Sequence, residues 1–468
     1  MSLTTQAPVV PPQRESGRLL VDRLPERLRD VVHLPGSAAY EAHVTPWMLA
    51  VPMHPAAVVA ARTADDVVAA VRLAAELAMT VGVQATGHGA VSSLAGQLLV
   101  STKGLDEVVV HPDGWARVGA GVKWLRVIEA AAPLGLAPLN GSTSDVGVVG
   151  YTTGGGVGPM TRTYGLAADR VRAFDVVTGD GVLRRVTPTE HPDLFYALRG
   201  GKGTAGIVTA VEFDLVPLST FYGGAVYFDG ADAAAVINRW RRWSQDLPEL
   251  GTTSFALFRM PAIPDVPPPL AGRLSVAVRL VWTGEPEEGA RLLDEMRAAA
   301  PVLLDDAGVK PYTAVDSVHA DPVDPMPAID PAQLLTDFPA EAAARLLAVA
   351  GPGSASTLPM VEVRQLGGAY AREGRHPAAF DHRAAGYSVL VIGMAGDPDA
   401  RPRAQALFES LAPWDTGGIW PNFGPAHDAV TARRAYAPAT LERLGAVSRR
   451  YDPRGVLQAG TAVRAALG

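Results

Sequence analysis

The sequence predicts an α+β fold, because its second half alternates pairs of strands with amphipathic helices. Runs at 221–228, 254–260 and 274–282 are rich in β-branched and aromatic residues, as strands are, whereas 232–246 and 285–299 are typical of helices with exposed arginines and acids. Strands followed by helices in this order indicate a sheet covered by helices. With 468 residues, of which 48% are hydrophobic, the chain can bury a large core.

Shorter elements are predicted on either side of this region. A helix over 63–79 opens with a Thr-x-x-Asp cap and repeats apolar residues at helical spacing. Two β-rich runs, 174–178 and 182–186, are joined by Gly-Asp-Gly, which indicates a hairpin. A strand over 207–216 ends at Pro217, where a domain boundary is expected. Further expected elements are strands at 80–84, 98–101, 107–110, 360–365 and 387–392, helices at 122–132 and 438–450, and proline-rich loops at 261–269 and 321–331.

Residues 140–158 (NGSTSDVGVVGYTTGGGVG) contain seven glycines in nineteen positions. Glycine allows sharp turns and the close approach of a ligand to the main chain, and successive bare N–H groups form a nest that suits a pyrophosphate. The hydroxyls of Ser142, Thr143 and Ser144 would add donors. A flexible linker is the alternative, which the interleaved valines disfavour. We therefore interpret the stretch as a ligand cradle.

A second turn, ATGHGA at 85–90, places a histidine between two glycines directly after the expected strand at 80–84. Taken alone, His88 would more often be an ordinary hydrogen-bonding residue than a reactive one. A third glycine cluster, at 200–206, precedes the expected strand at 207–216. The chain therefore offers three glycine-rich turns at the ends of predicted strands or helices.

Composition argues against several classes of function. The formal net charge is −7 and the pI is near 5.8, and no basic cluster with interleaved aromatics occurs, so a nucleic-acid partner is not expected. The chain has no cysteine, which excludes disulfides, thiolate metal sites and cysteine nucleophiles, and no metal site is predicted. The polar, proline-containing residues 1–18 are expected to be a disordered tail rather than a signal peptide. No apolar run is long enough to span a membrane, so we expect a cytoplasmic protein without a membrane partner.

Several motifs occur in a fixed order along the chain. They are GHGA around residue 88, GVVGYTTGGGVG at 147–158, YGLAADRVRAFDVVTGDG at 164–181, HPDLFYALRGGKGTAGIVT at 191–209, VEVRQLGGAYAR at 361–372, AFDHRAAGYS at 379–388, WPNF, and RRYDPRGVLQ near the end. The chain in this respect resembles the flavin-linked, PCMH-type FAD-binding oxidases of the vanillyl-alcohol oxidase superfamily, and most of all their berberine-bridge-enzyme-like group. Because the motifs cover nearly the whole chain in order, they are far more specific than one glycine-rich match.

The resemblance implies a two-part FAD-binding domain over 19–217, a substrate-binding domain of antiparallel sheet and helices over 218–424, and a C-terminal segment, 425–468, that returns to the FAD domain. It implies that the two glycine turns hold FAD, that the strand start at 206–208 runs along the adenine side, and that Asn422 lies near the flavin. The implied FAD-binding residues are Gln84, Ala85, Thr86, Gly87, His88, Gly89, Ala90, Ser142, Thr143, Gly147, Val149, Gly150, Gly154, Gly155, Gly158, Gly206, Ile207, Val208 and Asn422.

In similar enzymes the histidine of the Gly-His motif is bonded to the flavin 8α-methyl carbon, so the resemblance implies a tether through His88. A neutral imidazole nitrogen is nucleophilic near neutral pH, which suits this role. The usual Arg-Gly-Gly before the histidine is Gln84-Ala85-Thr86 in this chain. Some members carry a second tether from a cysteine, at a position close to Thr143, and the absence of cysteine excludes that bicovalent arrangement.

Oxidation of an alcohol or amine needs a base within hydrogen-bond reach of the substrate. Related enzymes use tyrosines in a Tyr-x-Asn-Tyr segment, but this chain has WPNF at 420–423, which lacks both phenols. The candidates that remain are Glu362, His382 and Tyr387, with Tyr370 and Tyr151 beside them. Each has a structural alternative. Glu362 could pair with Arg364 or face solvent, the His382-Arg383 pair could hold a turn, and Tyr387 could pack in the core.

Two functions are consistent with these observations. The first is an FAD-dependent oxidase or dehydrogenase that transfers hydride from a small or medium organic molecule to covalently held FAD, with molecular oxygen as a candidate second substrate. The resemblance implies that such a step tailors a natural product. The second is a redox-neutral cyclase or isomerase that uses the FAD pocket as a scaffold. This hypothesis is suggested by the absence of both tyrosines. The sequence leaves the oligomeric state open.

Overall fold

The computed structural model describes Leu20, residues 22–423 and residues 427–468, so the predicted tail at 1–18 lies outside the described residues. Strands of the described residues form four sheets, one largely parallel and three antiparallel, and helices pack between and around them. The predicted α+β fold class is therefore confirmed. Within the described part of the chain, no helix is both long enough and apolar enough to cross a lipid bilayer.

The strands are numbered in chain order. They are β1 Val32–His33, β2 Ala57–Ala60, β3 Val81–Gln84, β4 Leu98–Ser101, β5 Val108–His111, β6 Trp115–Gly119, β7 Leu136–Ala137, β8 Val171–Thr178, β9 Leu183–Val186, β10 Gly206–Asp214, β11 Val216–Pro217, β12 Thr220–Asp229, β13 Gly251–Arg259, β14 Leu274–Trp282, β15 Val302–Asp305, β16 Gly308–Pro311, β17 Ala328–Ile329, β18 Ala332–Leu335, β19 Met360–Gln365 and β20 Tyr387–Met394.

The α-helices of the described residues are Ala38–Val44, Ala64–Glu76, Trp124–Ala131, Val148–Thr153, Thr161–Tyr164, Pro192–Leu198, Ala233–Gln245, Pro286–Arg297, Ala340–Ala350, Ala400–Ser410, Ala429–Ala435, Pro438–Tyr451 and Thr461–Leu467. Short 3₁₀ turns connect several of them, and the turn at Tyr312–Val318 matters for the site described below.

A four-stranded sheet, in the order β1-β2-β4-β3, presents the turn that contains His88. Both β2 and β3 run parallel to β4, and β3 is an edge strand of the sheet. β3 ends at Gln84, and the chain continues directly into residues 85–90. The Ala64–Glu76 helix covers this sheet. Thr63 caps it and exchanges hydrogen bonds with Asp66, which is the capping box that the Thr-x-x-Asp pattern predicts.

A five-stranded antiparallel sheet, in the order β5-β6-β10-β8-β9, follows in the chain. β8 and β9 form the predicted hairpin, with Phe174 opposite Val186. β10 lies in the middle of the sheet, and the Trp124–Ala131 helix packs its buried Trp124 and Ile128 into the same core. This sheet therefore supports the glycine-rich stretch, which begins shortly after that helix.

The largest sheet has nine antiparallel strands, with β12, β14, β13, β19 and β20 side by side. Four helices bury their apolar sides against one face of it, and Val361 and Val363 of β19 point into that core. Because side chains alternate along a strand, Met360, Glu362 and Arg364 lie on the opposite face. Residues 157–161 of the glycine-rich stretch and its continuation meet this second face.

The C-terminal helices Pro438–Tyr451 and Thr461–Leu467 pack into the core that surrounds the five-stranded sheet. In addition, the main-chain N–H of Val81 donates to the carbonyl of Val456, at 2.8 Å, which joins the end of the chain to the four-stranded sheet. The domain boundaries expected at 217 and 424 remain predictions, although the helix-covered core of the nine-stranded sheet draws its residues from 222–414.

Candidate FAD-binding site

The structure brings the two predicted glycine turns together. A Cβ atom placed on Gly147 would lie 3.6 Å from Cβ of Ala85 and 3.7 Å from Cγ2 of Thr86, which is ordinary van der Waals distance. Gly147 precedes the Val148–Thr153 helix, and Ala85 and Thr86 follow β3. The turns at 85–90 and 147–153 therefore form one surface, which we call the cradle.

Two cradle glycines have no steric reason within the protein to be glycine. A Cβ atom added to Gly89 or Gly150 would meet no atom within 4 Å, and both residues are exposed and have backbone angles that other residues adopt. Gly150 also lies inside a helix, where glycine is less stable than alanine by about 1 kcal/mol. The close approach of a ligand to the main chain explains both positions, and this observation fits FAD to the cradle.

Four other predicted glycines, Gly87, Gly154, Gly155 and Gly158, are required by the fold itself. Gly87 has a φ of +79°, and a Cβ there would lie 2.6 Å from Pro46. A side chain at Gly154 would overlap Asn422, one at Gly155 would overlap Phe380, and one at Gly158 would overlap the carbonyl of Asn140. These glycines therefore allow the close packing of neighbouring residues that supports the cradle.

His88 lies at the centre of the cradle in an unusual environment. Its ring stacks on that of Trp47, with centroids 4.5 Å apart, and Nδ1 is in hydrogen-bond contact with Oγ1 of Thr86 at 2.9 Å. Nε2 is buried without a hydrogen-bond partner. Burial lowers the pKa of His88 to about 4, against the attraction of Asp145 and with a further contribution from Lys123. The imidazole is therefore neutral at physiological pH.

Asp145 connects the cradle to two other groups. Its carboxylate pairs with Lys123 and lies 4.0 Å from Nε2 of His88. The preceding residue, Ser144, donates its main-chain N–H and its hydroxyl to Asp316, at 2.9 and 2.5 Å. Asp316 belongs to the 3₁₀ turn Tyr312–Val318, so these contacts fasten the cradle to a segment beside the nine-stranded sheet.

The remaining predicted FAD-binding residues support the turns. Gln84 donates its amide to the carbonyls of His43 and Val44, and Oγ1 of Thr143 accepts the N–H of Asp145. Val149 packs against the cores of both the five-stranded and the four-stranded sheet. Of the others, Ala90 packs on the core beside β4, Ser142 is half-buried next to the cradle, and Gly206, Ile207 and Val208 are buried at the start of β10.

Asn422 contacts the cradle directly. Its amide nitrogen donates to the carbonyl of Tyr151 at 2.9 Å, and its amide oxygen accepts from Nζ of Lys202. Lys202 also donates to the carbonyl of Gly150 at 3.0 Å, and burial lowers its pKa to about 8. Lys202 thus lies at the end of the cradle helix, a position that the glycine pattern did not single out.

Glu362, the first candidate base, is fully buried on the sheet face turned to the cradle. It accepts hydrogen bonds from Ser254 at 2.8 Å, from Arg279 at 2.7 Å and from Arg364 at 2.7 Å. Burial alone would raise the pKa of this carboxyl, but Arg364 and Arg279 outweigh it and hold the pKa well below its usual range. Glu362 pairs with Arg364, as one of the two structural alternatives proposed, and a carboxylate so held is a weak base.

The other candidates are held by contacts outside the cradle. His382 occupies a turn with φ of +66°, and Nε2 is hydrogen-bonded to the carbonyl of Ala435. Tyr387 packs among the aromatic rings of the helix-covered core, on the face away from Glu362. Tyr370 donates to the carbonyl of His382 and accepts from Trp420.

Tyr151 is the one candidate that lies in the cradle helix. Its hydroxyl is buried and has no hydrogen-bond partner, and its ring packs edge-on against Trp124 at 5.7 Å. Burial raises its pKa, so the phenol stays protonated. Tyr151 is therefore suited to donate a hydrogen bond and unsuited to remove a proton.

Sequence reasoning missed Trp47, Lys123, Lys202 and Arg279, whereas Arg364 was named as a possible partner of Glu362. The chain contains only four lysines, and two of them, Lys123 and Lys202, lie at the cradle, so lysine scarcity was an available signal. Trp47 has no local signal, because its contact with His88 depends on a loop that precedes β2. Among the described residues, no group of three or more His, Asp or Glu side chains could hold a metal ion.

Comparison with known proteins supports the assignment of the cradle. Residues 55–187 match the family described as FAD binding domain. The chain is 35% identical over 176 residues to the FAD-dependent monooxygenase FUP4 of Fusarium proliferatum, covering 37% of this chain and 34% of that protein. It is 35% identical over 186 residues to the FAD-linked oxidoreductase patO of Penicillium expansum, covering 37% and 33%. The matched segment thus spans about a third of these relatives.

Solved structures match over almost the entire chain. 6-Hydroxy-D-nicotine oxidase from Arthrobacter nicotinovorans has a TM-score of 0.78 at 23% identity, over 91% of this chain and 95% of that one. Physcomitrella patens BBE-like 1 has a TM-score of 0.79 at 18% identity, over 96% and 98%. Glucooligosaccharide oxidase of Acremonium strictum, whose structure is described as showing a novel flavinylation, has a TM-score of 0.79 at 19% identity, over 96% and 97%. These similarities establish the fold.

The fold and the matched family together identify an FAD-binding domain over residues 55–187, the segment that contains both turns of the cradle. The fold of the whole chain is similar to that of the solved BBE-like and oxidase structures named above. The resemblance read from the sequence motifs is confirmed, and so is FAD as the cofactor.

Proposed function

We propose that this protein oxidises a small or medium organic molecule by transferring hydride to FAD that is covalently attached through His88. The observation that carries the proposal is the state of that side chain. His88 is neutral, its Nε2 is buried without a partner, and it projects from the turn that contacts Gly147. Bound FAD supplies the hydride acceptor for such a reaction.

The residues around His88 support its role as a nucleophile. A neutral imidazole has one ring nitrogen with a free lone pair, and contact with Thr86 limits how the ring can rotate. Stacking on Trp47 restricts the ring further. Asp145 lies 4.0 Å from Nε2, where its negative charge would stabilise the positive charge that develops when the imidazole attacks.

The sheet face turned to the cradle supports an organic substrate with apolar groups. On this face Ala256, Met360 and Leu390 form a buried cluster, and the half-buried Ile392 and Phe423 pack against it. Phe423 directly follows Asn422, which contacts the cradle. Apolar side chains next to the predicted flavin position favour burial of hydrocarbon or aromatic parts of a substrate. A tailoring step on a natural product is in keeping with this surface and with the oxidoreductases that the chain resembles.

The absorption spectrum of the purified protein before and after acid precipitation tests the tether. We expect flavin absorption to remain with the pellet of the wild-type protein and to pass into the supernatant for His88→Ala. His43→Ala is the matched control, because His43 is a half-buried histidine of the Ala38–Val44 helix whose ring contacts Ser101 of β4. Complete release of flavin from the wild-type protein would exclude the tether.

A second function is favoured by the state of the candidate bases. Glu362 is saturated with donors, Tyr151 is held protonated, and the imidazole of His382 is hydrogen-bonded in a turn. A redox-neutral cyclisation or isomerisation that uses the FAD pocket as a scaffold would not need the base that oxidation requires.

Anaerobic mixing with a converted substrate separates the two functions. Bleaching of the flavin absorption at the rate of turnover supports oxidation. Product formation with an unchanged flavin spectrum and without peroxide in air would instead support the redox-neutral reaction. Tyr151→Phe, which removes the unpaired hydroxyl and keeps the ring, shows whether that phenol contributes to either reaction.

A further inference from the structure

Lys202 is fixed at the end of the cradle helix by contacts of both its main chain and its side chain. Its main-chain N–H donates to the carbonyl of Thr153, the last residue of that helix, at 3.0 Å. Its ammonium group donates to the carbonyl of Gly150 at 3.0 Å and to the amide oxygen of Asn422. A Cβ atom on Gly154 would lie 2.7 Å from Cε of Lys202, so the stem of the side chain crosses that glycine. The position of the ammonium group is therefore set by the fold.

Lysine is an unexpected residue type at this position. Lys202 has a φ of +55°, the left-handed conformation that glycine adopts without strain, and glycines occupy positions 200, 201 and 203 around it. Burial alone lowers its pKa to about 8, and within the described part of the chain no carboxylate pairs with it. Lys123 and Lys310, by contrast, each pair with an aspartate. A cation that the fold holds in this way indicates a negatively charged partner outside the chain.

Capping of the helix end explains part of this arrangement and not all of it. A lysine near the C-terminal end of a helix is favourable, because carbonyl oxygens there lack main-chain partners. The two acceptors that Lys202 contacts are both neutral, and an ammonium group has three N–H bonds. One donor and the positive charge therefore remain available to a ligand.

FAD is the ligand within reach of this charge. Gly150, whose carbonyl accepts from Lys202, is the exposed glycine at which the open main chain indicates close approach of FAD. The bare N–H groups of the turns at 85–90 and around Gly147 suit the diphosphate. Lys202 lies at the opposite end of the cradle helix from Gly147, where the main chain presents carbonyl oxygens, which repel a phosphate. This placement favours the flavin ring over the diphosphate as the partner of Lys202.

We propose that the ammonium group of Lys202 stabilises the negative charge of the reduced flavin ring and thereby raises the reduction potential of bound FAD. The proposal rests on the oxidation proposed above. Hydride transfer breaks a C–H bond of the substrate and delivers two electrons and one proton to the ring, and the hydroxyl or amine proton of the substrate passes to solvent. The ring, neutral when oxidised, thus gains one negative charge, which a fixed positive charge nearby favours. Lys202 in this way promotes oxidation without acting as a base.

Reduction of the holoprotein by xanthine and xanthine oxidase, with a reference dye, measures the potential without a substrate of the protein itself. The result is therefore separate from whether the protein oxidises a substrate. Lys202→Met should favour the reduced form about tenfold to a hundredfold less, as expected for loss of one hydrogen bond to a charged group, which lowers the potential by about 30–60 mV. Lys202→Arg keeps the charge and should stay close to the wild-type potential.

Lys310→Met is the matched control for the loss of a lysine. Lys310 lies on β16, outside the cradle, and pairs with Asp306, so this variant should keep the wild-type potential. A tether through His88, where it forms, is present in all of these proteins and cancels in the comparison.

A pH titration of the fully reduced wild-type protein gives a second measurement that needs no variant to fold. A positive charge beside the reduced ring lowers the pKa at which the ring takes up its second proton. We expect the spectrum of anionic reduced flavin to persist to a lower pH in the protein than in free reduced FAD. In Lys202→Met the spectral change should move to higher pH.

Equal potentials in the wild-type protein and Lys202→Met would overturn the proposal. Combined with release of FAD from Lys202→Met, that result would assign Lys202 to the diphosphate, and combined with only a lower unfolding temperature it would assign Lys202 to capping of the helix. Reduced flavin that takes up its second proton at a higher pH in the wild-type protein than in free FAD would also contradict the proposal.

Discussion

Glu362→Gln should destabilise the protein far more than an ordinary loss of a surface ion pair. The carboxylate is fully buried and accepts hydrogen bonds from Ser254, Arg279 and Arg364. Neutralising it leaves two largely buried guanidinium groups without the carboxylate that both of them pair with. Breaking a buried pair in this way costs about 3–5 kcal/mol, because the desolvated partner charges remain.

Equilibrium unfolding in urea measures this difference in the free energy of unfolding. The matched control is Glu249→Gln, because Glu249 pairs with Arg372 at 2.8 Å on the surface, where the two side chains are 52% and 59% exposed. We expect this control to lose about 0–1 kcal/mol. A combined Arg279→Met, Glu362→Leu and Arg364→Met variant should recover much of the loss, because it removes charge and keeps apolar volume. Equal losses for Glu362→Gln and Glu249→Gln would refute the reasoning.

Three further predictions concern the cradle. Gly150→Ala should stabilise the flavin-free protein by about 0.5–1 kcal/mol, because alanine favours a helix and its Cβ meets no protein atom, yet it should weaken FAD binding in a titration. The stability of the flavin-free protein should fall by up to about 3 kcal/mol as the pH drops from 6.5 to 4, because the unfolded chain protonates His88 before the folded protein does. His88→Gln should lose that part of the pH dependence in urea unfolding, and an unchanged slope would contradict the assignment. Thr86→Val should slow covalent attachment, followed by acid precipitation over time, while FAD still binds, because it removes the contact that orients His88.

The pattern of apolar residues predicted the regular elements well where burial is one-sided or complete. β4, β14 and β19 have the predicted bounds, and β13 and β20 differ from prediction at their ends by a few residues. Where a strand begins and ends depends on its hydrogen bonds to neighbouring strands, which the sequence does not show. The Val148–Thr153 helix was not predicted, because glycine density indicates a turn and its helical form depends on packing beneath it.

The sequence predicted which segments form the site, but it did not predict which side chains contact one another there. Glycine turns and the Gly-His motif are local signals, so His88 and Gly147 could be predicted together. The stacking of Trp47 on His88 joins residues 41 positions apart, and Arg279 meets Glu362 across 83 positions. Such pairs follow from strand order and register, which no local pattern in one sequence specifies.

Trypsin digestion of the acid-precipitated protein tests the central claim most directly. Cleavage after Arg72 and Lys103 releases residues 73–103, a peptide whose single histidine is His88. We expect flavin absorption and the added mass of FAD on this peptide, and on no peptide from His88→Ala. Unmodified residues 73–103 with all flavin released, or flavin on a peptide without His88, would contradict the account.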